Sequence, residues 1–206
     1  MAANPTDLNL LQGLAMVFLA RGDLVGARAV IDAPDVDLTA LVAHVGTYWG
    51  MYWVLNDDQQ DLLLRLTPAA FGGNRAYWGL ILASTARLRG DTVQALHFAH
   101  EADQALAPML AAAPNDAQLN ALNGLVLAIL GRTSEAIAAG ERAGEILTLD
   151  DNGLYGAFIQ HVRVRTHLMV GDVDGALDLL EPLLEVPYFL SRDWLLIDPD
   201  YADLHD

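Results

Sequence analysis

The fold is decided by a short stretch that recurs along the chain as Arg21-Gly22-Asp23, Arg89-Gly90-Asp91, Gly131-Arg132 and Gly171-Asp172. Each copy ends one apolar helical pattern and begins the next, and an alanine stands five positions after each glycine. Glycine readily adopts the left-handed conformation that closes a helix, aspartate caps a following helix, and alanine lets two helices pack closely. The stretch therefore predicts a repeated helix-turn-helix unit.

Five such units span the sequence. Asn56-Asp57 fills the slot between Gly22 and Gly90, so the turns are spaced by about 33 to 41 residues, as in solenoids of helical pairs. The period-2 alternation that is typical of strands is absent from the sequence. We therefore predict one all-α domain over residues 1–206, an α-solenoid of about five helix pairs. The predicted units are residues 7–33, 37–66, 75–107, 116–147 and 154–184, followed by a short C-terminal cap at residues 187–206.

Three local features refine this architecture. Tyr188, Phe189 and Trp194 are expected to cover the last helix pair, because the end of a solenoid otherwise exposes an apolar face. A helix predicted over residues 37–55 contains the aromatic cluster of residues 48–53, part of which must face the core and part a neighbouring helix or a groove. Pro34 is expected to end the first unit, and Pro108 to kink or end the second helix of the third unit.

Composition excludes several classes of protein. The chain has no cysteine, which rules out disulfides and thiolate zinc sites. Its net charge of −16 opposes binding to a nucleic-acid backbone, and all eleven basic residues are arginine. A GC-rich coding genome and adaptation to high salt would each explain the absence of lysine. No basic residue precedes the Leu8–Leu11 run and no apolar run is long enough for a membrane span, which predicts a cytoplasmic protein without membrane contact.

No catalytic signature occurs in the sequence. His97 and His100 stand three apart beside Glu101, but nothing with zinc-like spacing supplies further ligands. Glu141 and Glu145 are neighbours on a helix face that is predicted to be solvated. We therefore predict a non-enzymatic protein without a metal or another cofactor.

The first helices of the third and fifth units contain no acid between residues 75 and 89 or between 154 and 170. If first helices line a concave wall, that wall is neutral to basic inside an acidic shell. A carboxylate or another acidic group near an apolar side chain is the predicted ligand. The alternative is that Arg87 and Arg89 merely interact with the C-terminal dipole of their own helix. The predicted ligand-facing residues are His44, Thr47, Met51, Tyr77, Ser84, Arg87, His161 and Arg165.

The repeated pattern also resembles a known family. Leu14-Ala15, Phe18, Gly22 and Ala27, repeated as Gly90, Ala95 and Ala102 and as Gly124, Gly131, Ala136 and Ala143, resemble the tetratricopeptide (TPR) repeat. The stretch from Leu180-Glu181-Pro182 through Pro187-Tyr188-Phe189 to Asp198-Pro199 is similar to TPR regions at the C-termini of bacterial serine/threonine kinases and related signalling proteins. The resemblance implies a TPR-like solenoid that serves as a scaffold for partners.

Catalytic activity of such kinases does not carry over, because the chain has no glycine-rich phosphate loop, no lysine and no His-Arg-Asp loop. A carboxylate clamp of the heat-shock type is disfavoured, since the corresponding positions carry Gln12, Thr47, Leu80, Ala121 and His161. The leading functional hypothesis is a protein-protein interaction scaffold that binds a peptide or partner segment in its concave groove. The alternatives are a sensor of a small ligand or signalling peptide that uses the same groove, and a regulatory domain of a larger signalling protein.

Overall fold

The computed structural model describes residues 7–32 and 36–205, apart from the side chains of residues 48 and 49. The described chain is helical and contains no strand, which confirms the prediction of an all-α protein. The predicted stop at Pro34 lies outside the described residues, as do the side chains of Tyr48 and Trp49 from the predicted aromatic cluster. The α-helices are α1 (Leu8–Leu19), α2 (Leu24–Ile31), α3 (Leu38–Thr47), α4 (Asp57–Leu64), α5 (Arg75–Leu88), α6 (Thr92–Ala112), α7 (Ala117–Ile129), α8 (Thr133–Ile146), α9 (Tyr155–Met169), α10 (Val173–Leu184) and α11 (Arg192–Leu195). The 3₁₀ helices are Tyr48–Val54, Pro68–Phe71 and Pro199–Leu204.

The turn chemistry predicted from the recurring stretch is confirmed. Gly22, Gly90, Gly131 and Gly171 all have left-handed backbone conformations, with φ between 72° and 79°. The aspartates that follow three of them cap the next helix, and each accepts a hydrogen bond from a backbone N–H three residues further on. Only three or four residues therefore separate the end of one helix from the start of the next.

Helices adjacent in the sequence pack against each other as α1 with α2, α5 with α6, α7 with α8 and α9 with α10. The alanines at the predicted contacts, Ala27, Ala95, Ala136 and Ala176, are all buried. The first helices of successive units also contact one another, α3 with α5, α5 with α7 and α7 with α9. This places α3, α5, α7 and α9 side by side.

The second unit departs from its prediction. The helix expected over residues 37–55 ends at Thr47, and a 3₁₀ helix continues from Tyr48 to Val54. Gly50 lies inside this 3₁₀ helix with a φ of 70°, which an α-helix does not accommodate. A Cβ at this position would also collide with the guanidinium group of Arg165. Both the backbone conformation and the close approach of Arg165 therefore require glycine here.

Pro108 does not end the second helix of the third unit, since α6 continues through it to Ala112. The proline lies near the C-terminal end of α6, where the helix loses one backbone hydrogen bond and persists. The predicted boundary at residue 107 is therefore about one turn too early.

The C-terminal region covers more than the last helix pair. Residues 187–205, here called the strap, also contact the first and second units. The Ser191 hydroxyl donates to the carbonyl of Ala20 over 2.8 Å, and the Trp194 ring lies edge-on to Trp53 with 6.2 Å between ring centroids. Trp194 is 1% exposed and also packs against the ring of Phe189. None of the described helices is both long and apolar enough to cross a membrane.

Candidate functional site

Two adjoining depressions run along the first helices. The enclosed cavity, about 40 Å³ in volume, lies between the 3₁₀ helix Tyr48–Val54 and helices α5, α7 and α9. The open cleft, about 440 Å³ in volume, lies at the N-terminal side and is lined by residues of α3 and by Phe71 and Asn74. Thr47 and Tyr77 line both spaces, which makes them one continuous depression. This depression is called the groove below.

The structure brings most of the predicted ligand-facing residues to the groove. Thr47, Tyr77, Ser84, His161 and Arg165 line the enclosed cavity, and His44 lines the open cleft.

Met51 and Arg87 do not line the groove. Met51 has no exposed surface and packs in the hydrophobic core. Its prediction assumed an α-helix in which Thr47 and Met51 share one face. Since that α-helix ends at Thr47, the shared face does not exist.

Arg87 and Arg165 were predicted to face an acidic ligand, and both instead contact a carboxylate of the same chain. Asp200, in the strap, accepts from Arg165 Nη2 over 2.6 Å, from Arg165 Nε over 3.1 Å and from Arg87 Nη2 over 2.7 Å. The Tyr52 hydroxyl donates to the same carboxylate over 2.8 Å. The side chains of Arg165 and Asp200 are 7% and 5% exposed, so this is a buried ion pair. It fastens the strap to α5 and α9.

The two carboxyl groups of this part of the strap have opposite pKa shifts. Burial raises the pKa of Asp200, but the guanidinium groups of Arg165 and Arg87 outweigh burial and hold the pKa below its usual value. Asp198 is also buried, and burial together with the nearby Asp200 charge raises its pKa to about 7. Asp200 is therefore the ionised partner of the two arginines, while Asp198 is only partly ionised at neutral pH.

His161 is 3% exposed and forms part of the wall of the enclosed cavity. Burial, with the charge of Arg165, lowers its pKa to about 3, so the imidazole is neutral at physiological pH. Its Nδ1 lies 3.2 Å from the Tyr188 hydroxyl. Its Nε2 has no hydrogen-bond partner among the described residues. A buried polar atom without a partner costs free energy, which makes this nitrogen a feature to be explained.

The polar groups at the open end of the groove are paired. His44 Nε2 lies 3.0 Å from Gln12 Oε1, and burial lowers the pKa of His44. Thr47 donates its hydroxyl proton to the carbonyl of Ala43, and the Tyr77 hydroxyl accepts from the amide of Gln118. These hydrogen bonds hold the side chains in fixed orientations along the cleft.

The other side chains considered for chemistry lie elsewhere. Glu101, beside His97 and His100, forms an exposed ion pair with Arg75. Within residues 7–32 and 36–205 there is no group of three or more His, Cys, Asp or Glu side chains placed to hold a metal ion. Ser84 and His161 line the same cavity, but His161 Nδ1 pairs with a tyrosine hydroxyl rather than with an orienting carboxylate. The arrangement suits the binding of a group by charge and hydrogen bonds.

Asp200, Tyr52 and Gly50 are the functional-site residues that sequence reasoning missed. The signal available for Asp200 was the acidic end of the chain, Asp198-Pro199-Asp200, together with two acid-free helices that carry arginine. Asp200 lies 35 residues from Arg165 and 113 from Arg87 in the sequence, so no local pattern connects them.

Comparison with known proteins gives no relative: no protein-family model, no curated protein and no solved structure matches the chain significantly. The geometry and the charges of the groove are therefore the basis for a functional assignment.

Proposed function

We propose that this chain is a non-catalytic binding module, a TPR-like solenoid that holds a protein or peptide segment in the groove. The observation that carries the proposal is that side chains of four first helices, α3, α5, α7 and α9, line one continuous groove. Stacked helical pairs bind partners on such a surface, which no single unit could build alone. A groove of this kind accepts an extended segment or one face of a helix.

The dimensions of the groove favour a segment over a metabolite. A small-molecule site usually encloses most of its ligand, whereas the larger space here is an open cleft. The enclosed cavity, at about 40 Å³, has room for only a few water molecules or one small chemical group. A partner segment can lie along the open cleft and insert one side-chain end into the enclosed cavity.

The composition of the groove indicates which segment fits. The open cleft combines Leu8, Ala43 and Phe71 with the polar side chains of His44 and Asn74, which suits an apolar side chain with polar neighbours. At the enclosed end, the positive charge of Arg165 suits an acidic group, as the sequence predicts. The net charge of −16 opposes an acidic partner only weakly, because charges beyond about 8 Å are screened at physiological salt.

Selection from a displayed peptide library on the immobilised full-length protein tests the proposal. We expect enrichment of segments with an acidic residue close to an apolar one. His44→Ala removes a side chain from the open cleft and should weaken the selected peptides by about tenfold, which equals about 1.4 kcal/mol. His100→Ala is the matched control, since His100 is an exposed histidine on α6, away from the groove.

Equal weakening by the two alanine variants would contradict binding in the groove. Failure of the selection, combined with a small molecule that copurifies with the protein in native mass spectrometry, would favour the small-ligand sensor instead.

A further inference from the structure

The enclosed cavity is lined by both polar and apolar side chains. Ser84, His161 and Arg165 contribute polar side chains, while Leu122, Leu125 and Phe158 form apolar wall. A group that fills this space must therefore combine a hydrogen-bonding head with a short hydrocarbon stem.

His161, one of the residues that line this cavity, has an unused hydrogen-bonding atom. The residue is 3% exposed, and its Nε2 has no partner among the described residues. The Tyr188 hydroxyl, 3.2 Å from Nδ1, can either donate or accept, so the neutral ring is free to carry its proton on Nε2. An acceptor in the cavity would select that tautomer and satisfy the nitrogen.

Arg165 contributes a second unused donor. Its Nε and Nη2 donate to Asp200, and Nη2 also donates to the Tyr52 hydroxyl. Nη1 lies against Gly50, which also lines the cavity, and it makes no hydrogen bond within the described part of the chain. Two residues that line the same small space therefore each have a nitrogen without a hydrogen-bond partner among the described residues.

The charges around the cavity do not balance. Two guanidinium groups, those of Arg87 and Arg165, contact the single carboxylate of Asp200. Asp198 compensates only in part, because its raised pKa of about 7 leaves much of it protonated at neutral pH. The residual positive charge is shared between the buried Arg165 and Arg87, whose side chain is 41% exposed, and it favours a monoanion over a dianion. A phosphate group, with up to two charges and more oxygens, exceeds both the residual charge and the number of donors.

We propose that the enclosed cavity is a binding site for a carboxylate on a short alkyl stem, whose oxygens accept hydrogen bonds from Arg165 Nη1 and His161 Nε2. The stem lies against the apolar wall. Asp200 stays in place, because its displacement would also release Tyr201 and Trp194, which are 0% and 1% exposed. Where the carboxylate belongs to an Asp or Glu side chain of a partner, the inference rests on the proposed function. A free short-chain acid presents the same chemistry.

Titration of the full-length protein with sodium propionate, followed by NMR of the His161 imidazole and the Trp194 indole, tests the site. Saturable shifts of the imidazole with an unmoved indole are expected, since Trp194 reports on the strap. Propionamide has the same shape without the charge and should bind about tenfold more weakly. Ser84→Val narrows the cavity and should abolish propionate binding. Ser134→Val is the matched control and should leave propionate binding unchanged, because Ser134 lies at the exposed start of α8.

A second arm uses the capped tripeptide acetyl-Ala-Glu-Ala-amide and its Gln counterpart. Binding of propionate supports a site open to free acids, and binding of the Glu tripeptide alone supports a site for a partner's side chain. The inference is overturned if neither probe binds or if the charged and neutral probes bind equally. It is also overturned if the Trp194 indole signal shifts, because that shift would show that the strap is displaced from α5 and α9. Library peptides that bind the groove without needing an acidic residue would overturn this inference while leaving the proposed function intact.

Discussion

The groove contains a histidine at each end, and the two differ in how deeply they are buried. His44 at the open end is half-buried and pairs with Gln12, and burial lowers its pKa. His161 at the enclosed end is 3% exposed and has a pKa of about 3, so it stays neutral across the physiological range. The strap accounts for much of the difference, since Tyr188, Phe189 and Tyr201 surround the His161 ring. Because both residues are histidines, the difference between their pKa shifts follows from their depth of burial.

The two ends also differ in what holds them in shape. At the open end, hydrogen bonds between neutral groups such as Thr47 and Ala43 orient the side chains. At the enclosed end, the buried Arg165–Asp200 ion pair does so. Removal of one member of a buried pair leaves an unpaired charge, which is far more costly than the loss of a neutral hydrogen bond. The enclosed end should therefore be much more sensitive to substitution.

The largest effect is expected for Asp200→Ala. It leaves Arg165 buried without its partner and should lower the free energy of unfolding by about 3 to 5 kcal/mol. Urea denaturation measures this change. Asp203→Ala is the control, since Asp203 lies on the same 3₁₀ helix and is exposed. Similar losses for both variants would show that the strap depends on general charge rather than on the buried pair.

A smaller effect is expected for Gly50→Ala. Both Gly50 and Gly90 have positive φ, but only at Gly50 does an added Cβ meet the Arg165 guanidinium group. Gly90→Ala should cost about 1 kcal/mol for the backbone conformation alone. Gly50→Ala should cost about 2 to 4 kcal/mol, because it adds the displacement of Arg165. Thermal melts of the two variants separate these contributions, and equal costs would argue against a close approach of Arg165.

The smallest effect concerns Asp198. Its pKa is raised to about 7 in the folded protein, so the folded state binds the proton more tightly than the unfolded state does. The stability that this group contributes is present at low pH and is lost as pH rises from about 4 to about 7. Asp198→Asn cannot ionise, so the difference in unfolding free energy between wild type and variant should move by up to about 2 kcal/mol in favour of the variant between pH 5 and pH 8. A difference that does not vary with pH would show that Asp198 is ionised throughout.

The sequence predicts the helix-turn-helix units well because their signals are local. Gly171, Asp172 and Ala176 stand within six residues of one another, and each acts on the turn or helix in which it lies. Such short-range effects do not depend on the rest of the chain. The sequence did not predict the end of α3 at Thr47. The helix is interrupted where Gly50 has a positive φ and where Arg165, which is distant in the sequence, packs against that glycine.

The candidate site was predicted only in part. Helical spacing and the absence of acids on α5 and α9 identified Tyr77, Ser84, His161 and Arg165, all of which line the groove. The same reasoning assigned Arg87 and Arg165 to a ligand rather than to Asp200. Their pairing with Asp200 spans 113 and 35 residues of sequence, which helical spacing cannot reveal.

By itself, the sequence determined the all-α class, the positions of the turns and the helices that carry the groove residues, since glycine conformation, helix capping and apolar periodicity act over a few residues. Only the tertiary structure decided that Asp200 pairs with both arginines, that Met51 enters the core, and that the buried His161 keeps an unpaired nitrogen. The physical reason is that charge pairing and desolvation depend on distances in space. Those distances are set by the packing of the strap against α5 and α9.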